Sequence, residues 1–121
     1  MKGEVRMLTV DALKEFGADT EDGLARCMNN QAFYLRLVGK VLEDRNFAAL
    51  EQALSEGNLD AAFGAAHSLK GVLGNLSLTP IYEPVKEMTE LLRAKKQMDY
   101  QPYMQVIGEK VAELRRLADK A

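Results

Sequence analysis

The sequence predicts an all-α fold: an antiparallel up-down-up-down four-helix bundle with one or two short N-terminal helices. Three observations carry this. Alternation of period two, the mark of a half-buried strand, is absent along the chain. Apolar residues recur instead at spacings of three and four, giving each long segment one apolar stripe to bury. Capping and turn residues fall between these segments, and the short links they leave join antiparallel neighbours.

Thr9 to Phe16 reads as a short helix closed by Gly17. Asp19 caps a second short helix, with Glu21 and Asp22 in its positive first turn. These two, within residues 1–30, cap one end of the bundle formed by residues 31–121. Gln31 to about Glu56 reads as one long helix, its stripe running through Leu35, Val38 and Leu42 and on through Ala49, Leu50, Ala53 and Leu54. The stripe weakens at Asp44-Arg45-Asn46, where a bend or break would fall. Gly57 suits the left-handed position after a helix end, and Asn58 caps the next helix, Leu59 to about Ser77. Thr79 as cap and Pro80 at the first position open the third long helix, with Ile81, Val85, Met88 and Leu92 on its stripe. Pro84, on the edge of that first turn, would set the start a few residues later. After Lys95-Lys96 and the connector Gln97 to Gln101, Pro102 opens the last helix, with Tyr103, Ile107, Val111, Leu114 and Ala118 facing inward.

Composition narrows the function classes. A length of 121 residues suits one domain, and a 47% hydrophobic share with 28% charged residues excludes a disordered chain. Sixteen Lys+Arg against eighteen Asp+Glu leave a net charge of −2, which argues against nucleic acid or an anionic membrane as partner. One cysteine, Cys27, excludes an internal disulfide and is expected to be a buried structural thiol; one histidine, His67, excludes the His/Cys zinc patterns. No apolar run approaches the roughly 20 residues that span a bilayer. Met1 to Val10 carries Lys2, Glu4 and Arg6 without the apolar stretch of a signal peptide. The expectation is a cytoplasmic, monomeric protein.

The segment Asn58 to Ser77 carries the information about function. At about 100° per residue, Leu59, Ala62, Ala65, Ala66, Leu69, Leu73 and Leu76 share one arc of roughly 120°, the core face. His67 lies opposite, ringed by Asp60, Phe63, Gly64, Lys70, Gly71 and Gly74. Each helical glycine costs about 0.8–1 kcal/mol against alanine. Three of them on one exposed face strip side chains from around the imidazole and leave it open to a bulky partner or a phosphoryl group. Close helix packing, the other use of helical glycine, is not expected opposite the leucine stripe. Imidazole is nucleophilic and largely neutral near neutral pH, so attack on a phosphoryl donor is the chemistry that this arrangement suits. Lys70, at i+3, is placed to neutralise charge added to the ring. Phe63 either folds over the bundle edge or offers an apolar patch for docking. Asp60 is the only carboxylate of the ring, so no cluster of acids to hold magnesium is expected.

The string Ala66-His67-Ser68-Leu69-Lys70-Gly71, followed by Gly74 and Asn75 and preceded by Gly57-Asn58-Leu59-Asp60-Ala61-Ala62, resembles the signature of histidine-containing phosphotransfer (HPt) domains. That resemblance implies a relay in two-component signalling, in which the histidine takes a phosphoryl group from a receiver-domain aspartate and passes it to another receiver. It implies that His67 is phosphorylated, usually on Nε2, that Lys70 contacts the phosphoryl group, and that Gly71 keeps the approach open. The partners would be a response-regulator receiver domain or a hybrid histidine kinase. Mg²⁺ would sit on the receiver, with no cofactor on this chain. No phosphate-binding glycine loop is present, so a phosphotransfer intermediate is expected, not a kinase. The helix set and the Met1 start lead us to expect a free-standing protein.

Two other readings compete. The same face could dock a receiver or kinase domain without chemistry, making His67 replaceable. A general-base enzyme using His67 lacks a second catalytic group, since Asp60 and Lys70 form no charge relay and nothing near Cys27 would activate it.

Overall fold

Local capping defines the helices of the computed structural model, which describes residues 8–119. Among these residues there are seven helices and no strand: α1 (Val10–Phe16), α2 (Thr20–Arg26), α3 (Gln31–Val41), α4 (Asn46–Ser55), α5 (Leu59–Asn75), α6 (Thr79–Arg93) and α7 (Gln101–Asp119). The side chains of Thr9, Asp19, Asn30 and Asn58 each accept a hydrogen bond from the backbone N–H three residues on. Each thereby satisfies one of the donors that a helix start leaves unpaired. The absence of a signal sequence was read partly from residues 1–7, which lie outside the described range.

The bundle is built from α4 to α7. Three-residue links force reversals between α4 and α5 and between α5 and α6, and each of these pairs packs along its length, as do α6 and α7. A cleft lined by Phe47 and Glu51 of α4 and by Met104, Ile107 and Val111 of α7 marks where the last helix lies beside the first. Ala62, Ala65, Ala66, Leu69 and Leu73 of α5 are buried, as are Ile81, Val85, Met88 and Leu92 of α6 and Ile107 and Leu114 of α7. The stripes read from the sequence for α5, α6 and α7 supply this core, with Leu59, Tyr103, Val111 and Ala118 half-buried against it. Among the described residues no helix is long and apolar enough to cross a membrane. Cys27 is buried.

Three expectations need correction. The segment from Gln31 to Glu56 is two helices, not one. The N–H groups of Leu42, Glu43 and Asp44 bond only three residues back, and the Asp44 carboxylate accepts from the Asn46 N–H at 2.8 Å, so a side chain replaces the helical ladder. The break changes the phase of the stripe: Leu50 and Ala53 are buried but Ala49 is exposed. Second, Thr79 does not cap α6 but is its first residue; its hydroxyl donates to the Ser77 carbonyl, and Leu78 stands at the cap. Third, Pro84 does not delay the start of α6. It lies inside the helix on a half-buried flank, where the bond it forgoes to the Pro80 carbonyl is tolerated.

The corner between α5 and α6 ties the N-terminal helices down. Ser77 sits in the left-handed region (φ 55°), with its N–H bonded to the Gly74 carbonyl and the Leu78 N–H bonded to that of Leu73. This is a Schellman ending with serine where glycine is usual, a strain on the order of 1 kcal/mol. What serine adds is a hydroxyl that donates to the Asp22 carboxylate of α2. The Asp19 N–H bonds the Ser77 carbonyl at 3.0 Å, and the Tyr34 hydroxyl of α3 donates to the Leu76 carbonyl at 2.9 Å.

The Ser77 hydroxyl, and after it Arg26, holds the Asp22 carboxyl below its ordinary range. A carboxyl lowered in the fold stabilises it above the unfolded value, and that contribution fades as pH falls through the folded value. Ser77→Ala is expected to move the Asp22 midpoint upward in a carbon-detected NMR titration. An unmoved midpoint would assign the effect to Arg26 alone.

Candidate functional site

The outward face of α5 carries the candidate site. His67 is exposed, as are Gly64 at i−3 and Gly71 at i+4, and a Cβ built on either glycine meets nothing within 4 Å. The imidazole therefore stands on a helix surface bare on two of its four neighbouring positions. The other two are Phe63 at i−4, half-buried, and Lys70 at i+3.

Gly74 has a close neighbour that the helix wheel of α5 does not show. A Cβ there would lie 3.1 Å from Tyr82 Cε1, so the missing side chain leaves room for an aromatic ring from α6, and Gly74 and Tyr82 both line the groove beside His67. The wheel places Gly74 opposite the core stripe, but α6 is tall enough at Tyr82 to reach around that flank. Of the three glycines on this face, Gly64 and Gly71 border open space.

Lys70 is turned toward α6, its Nζ 3.7 Å from Glu90 Oε2. Glu90 also accepts from Arg93 Nε at 3.3 Å. That hydrogen bond first, and Lys70 after it, keeps the Glu90 carboxyl below its usual range. The pair to Lys70 is beyond hydrogen-bond length and open to solvent, so it holds the ammonium loosely and leaves it available to a stronger anion. Phe63 stacks on His67, with ring centroids 5.5 Å apart and planes inclined by 24°, and the Arg93 guanidinium lies 4.9 Å from the Phe63 centroid. Asp60 is drawn to Lys95 at 3.6 Å.

Beside the histidine runs an open groove of about 490 Å³. His67, Lys70 and Gly71 form one wall, Tyr82 and Glu83 of α6 another, and Asp19, Asp22 and Arg26 a third. Glu90, Arg93 and Tyr82 escaped sequence reasoning. The i, i+3 spacing of Glu90 and Arg93 was visible, but only the packing of α6 against α5 shows that Glu90 meets Lys70 and Arg93 meets Phe63. Among the described residues, no group of three or more His, Cys, Asp or Glu is placed to hold a metal ion.

The arrangement presents an exposed imidazole covered by Phe63 on one side and open on the side of Gly64 and Gly71, a loosely held cation one turn away, and an open groove beside them. A family model described as Hpt domain matches residues 42–117, from the turn before α4 to near the end of α7. No curated protein and no solved structure matches the chain.

Proposed function

The chain belongs to the HPt domain family, phosphotransfer modules of two-component signalling that lack kinase activity, and from that premise we propose that His67 accepts a phosphoryl group from a receiver-domain aspartate and passes it to another receiver. The observation that carries this reading is the exposure of His67 between the open positions of Gly64 and Gly71, inside the matched region. The unprotonated ring nitrogen attacks phosphorus; an N–P bond forms, the bond from phosphorus to the aspartyl oxygen breaks, and the carboxylate leaves with the electron pair. The second ring nitrogen keeps its proton, so the attack needs no base. Onward transfer reverses the step on a second aspartate. Lys70 exchanges Glu90 for the phosphoryl oxygens, a more highly charged partner. In this reading Mg²⁺ belongs to the receiver, which supplies the acidic residues for it.

Incubation with a receiver domain phosphorylated by acetyl phosphate tests the reading. The chain is expected to acquire label that is lost in acid and kept in base, as a phosphoramidate requires. Label stable in acid would overturn it.

Gly71 gives a test in which stability and transfer move in opposite directions. Gly71→Ala should raise stability by about 0.8–1 kcal/mol, because the added methyl meets only solvent. Gly71→Leu keeps the helix but puts a branched side chain beside the imidazole, and transfer is expected to fall about 100-fold, the order expected when reacting groups are held about 1 Å out of place. Equal rates for Gly71→Leu and the parent would show that the approach does not cross this position.

A further inference from the structure

We propose that Phe63 is a positioning residue that sets the orientation of the His67 imidazole, and that Arg93 holds Phe63 in place; this rests on the phosphotransfer reading above. Helical side chains lean toward the N-terminus, onto the positions three and four residues earlier. For His67 those positions are Gly64, which offers nothing to lean on, and Phe63, which offers a ring. The imidazole accordingly rests on Phe63, its centroid 5.5 Å away and its plane only 24° off parallel. Among the described residues no hydrogen bond reaches the imidazole, so this contact is what distinguishes one orientation of the ring from another.

Phe63 is itself restrained from α6. The Arg93 guanidinium lies 4.9 Å from its centroid, within cation–π range, and Arg93 is steadied by its hydrogen bond to Glu90. A sequence that only cleared the surroundings of the histidine would have a small residue at all four neighbouring positions. Here the two glycines open one side, while a bulky ring pinned from the next helix closes the other. The two features together leave one face of the imidazole covered and confine the side chain to fewer of its rotamers. Attack on phosphorus needs the nitrogen lone pair in line with the leaving oxygen, so confinement raises the fraction of encounters that start from a reactive geometry.

The test uses the full chain and four proteins: the parent, Phe63→Leu, Phe63→Tyr and Arg93→Gln. Leucine preserves apolar bulk at a half-buried site but removes the aromatic face; tyrosine restores it. The first readout is the NMR shift of the His67 ring protons, which the Phe63 ring current moves whether or not phosphoryl transfer occurs. The second is kcat and KM with a receiver domain phosphorylated by acetyl phosphate. Phe63→Leu is expected to abolish the ring-current shift and lower kcat about three- to ten-fold, the range that an aromatic pair can supply, at unchanged KM. Phe63→Tyr should restore both, and Arg93→Gln should give an intermediate shift and rate. An unmoved His67 resonance in Phe63→Leu, or a raised KM at parental kcat, would overturn the proposal; the latter would make Phe63 a docking contact. If the parent keeps the ring-current shift but takes no label, the phosphotransfer reading falls and takes this role with it. If Phe63→Leu takes label at the parental rate, only the positioning role falls.

Discussion

A His67→Gln chain is expected to fold like the parent, melt within about 3 °C of it, and accept no phosphoryl group above background. The small thermal effect follows from exposure: the imidazole makes no hydrogen bond to a described residue, and surface substitutions of this kind usually change stability by no more than about 0.5 kcal/mol. The complete loss of transfer follows from chemistry. A glutamine amide is close in size but has no nucleophilic lone pair. Nor is a substitute at hand, since Cys27 is buried and distant in sequence, and Ser68 lacks a neighbouring base to activate it. Label counted on the parent and the variant, beside their melting curves, decides the matter. Equal label on both would remove His67 from the mechanism. A receiver that binds the variant and signals fully through it would favour docking without chemistry.

Gly23→Ala is expected to cost the fold about 3 kcal/mol, a drop of roughly 10 °C in melting temperature. A Cβ at Gly23 would stand 2.5 Å from the Tyr34 hydroxyl oxygen, 2.6 Å from Cζ and 2.7 Å from Cε1. These are the far atoms of a side chain, but of one that cannot swing away. Tyr34 is fully buried, and its hydroxyl is committed to the Leu76 carbonyl. Burial pushes that hydroxyl up to about 12, so it stays protonated and donating across the ordinary pH range. The added methyl therefore either displaces a rigid ring into packed neighbours or breaks a buried hydrogen bond, and each is costly. Thermal unfolding followed by circular dichroism checks this. A variant melting within 2 °C of the parent would show that α2 and α3 do not meet as described.

Most of the architecture was legible because it rests on periodicity. The stripe of α5 from Ala62 to Leu73 and that of α6 from Ile81 to Leu92 are both buried, and Gly57 and Asn58 stand where their backbone and side-chain preferences put them. Legibility failed where a tertiary contact or a local side-chain bond overrode the pattern. Asp44 ends one ladder and begins another with a single hydrogen bond, which a helical-period count registers only as a weak spot. Ser77 adopts the left-handed conformation because Asp22 is there to receive its hydroxyl, a reason located 55 residues away. The same limit applies around the histidine. A helix wheel of α5 finds His67, Gly64, Gly71 and Lys70, since all lie on one helix. It cannot find Glu90 or Arg93, or the Tyr82 ring against Gly74, because those depend on which flank α6 turns toward α5.

The corner at Leu76–Leu78 has a consequence for what counts as the domain. The stretch that the family model recognises starts at residue 42, yet Asp19, Asp22 and Tyr34, which fasten that corner, all precede it. Recognition of kinship and cooperative unfolding thus have different boundaries in this molecule. Opening of α2 or α3 would release the C-terminal turn of α5, two turns from the histidine, so hydrogen exchange along the segment that carries His67 is expected to depend in part on residues outside the matched stretch.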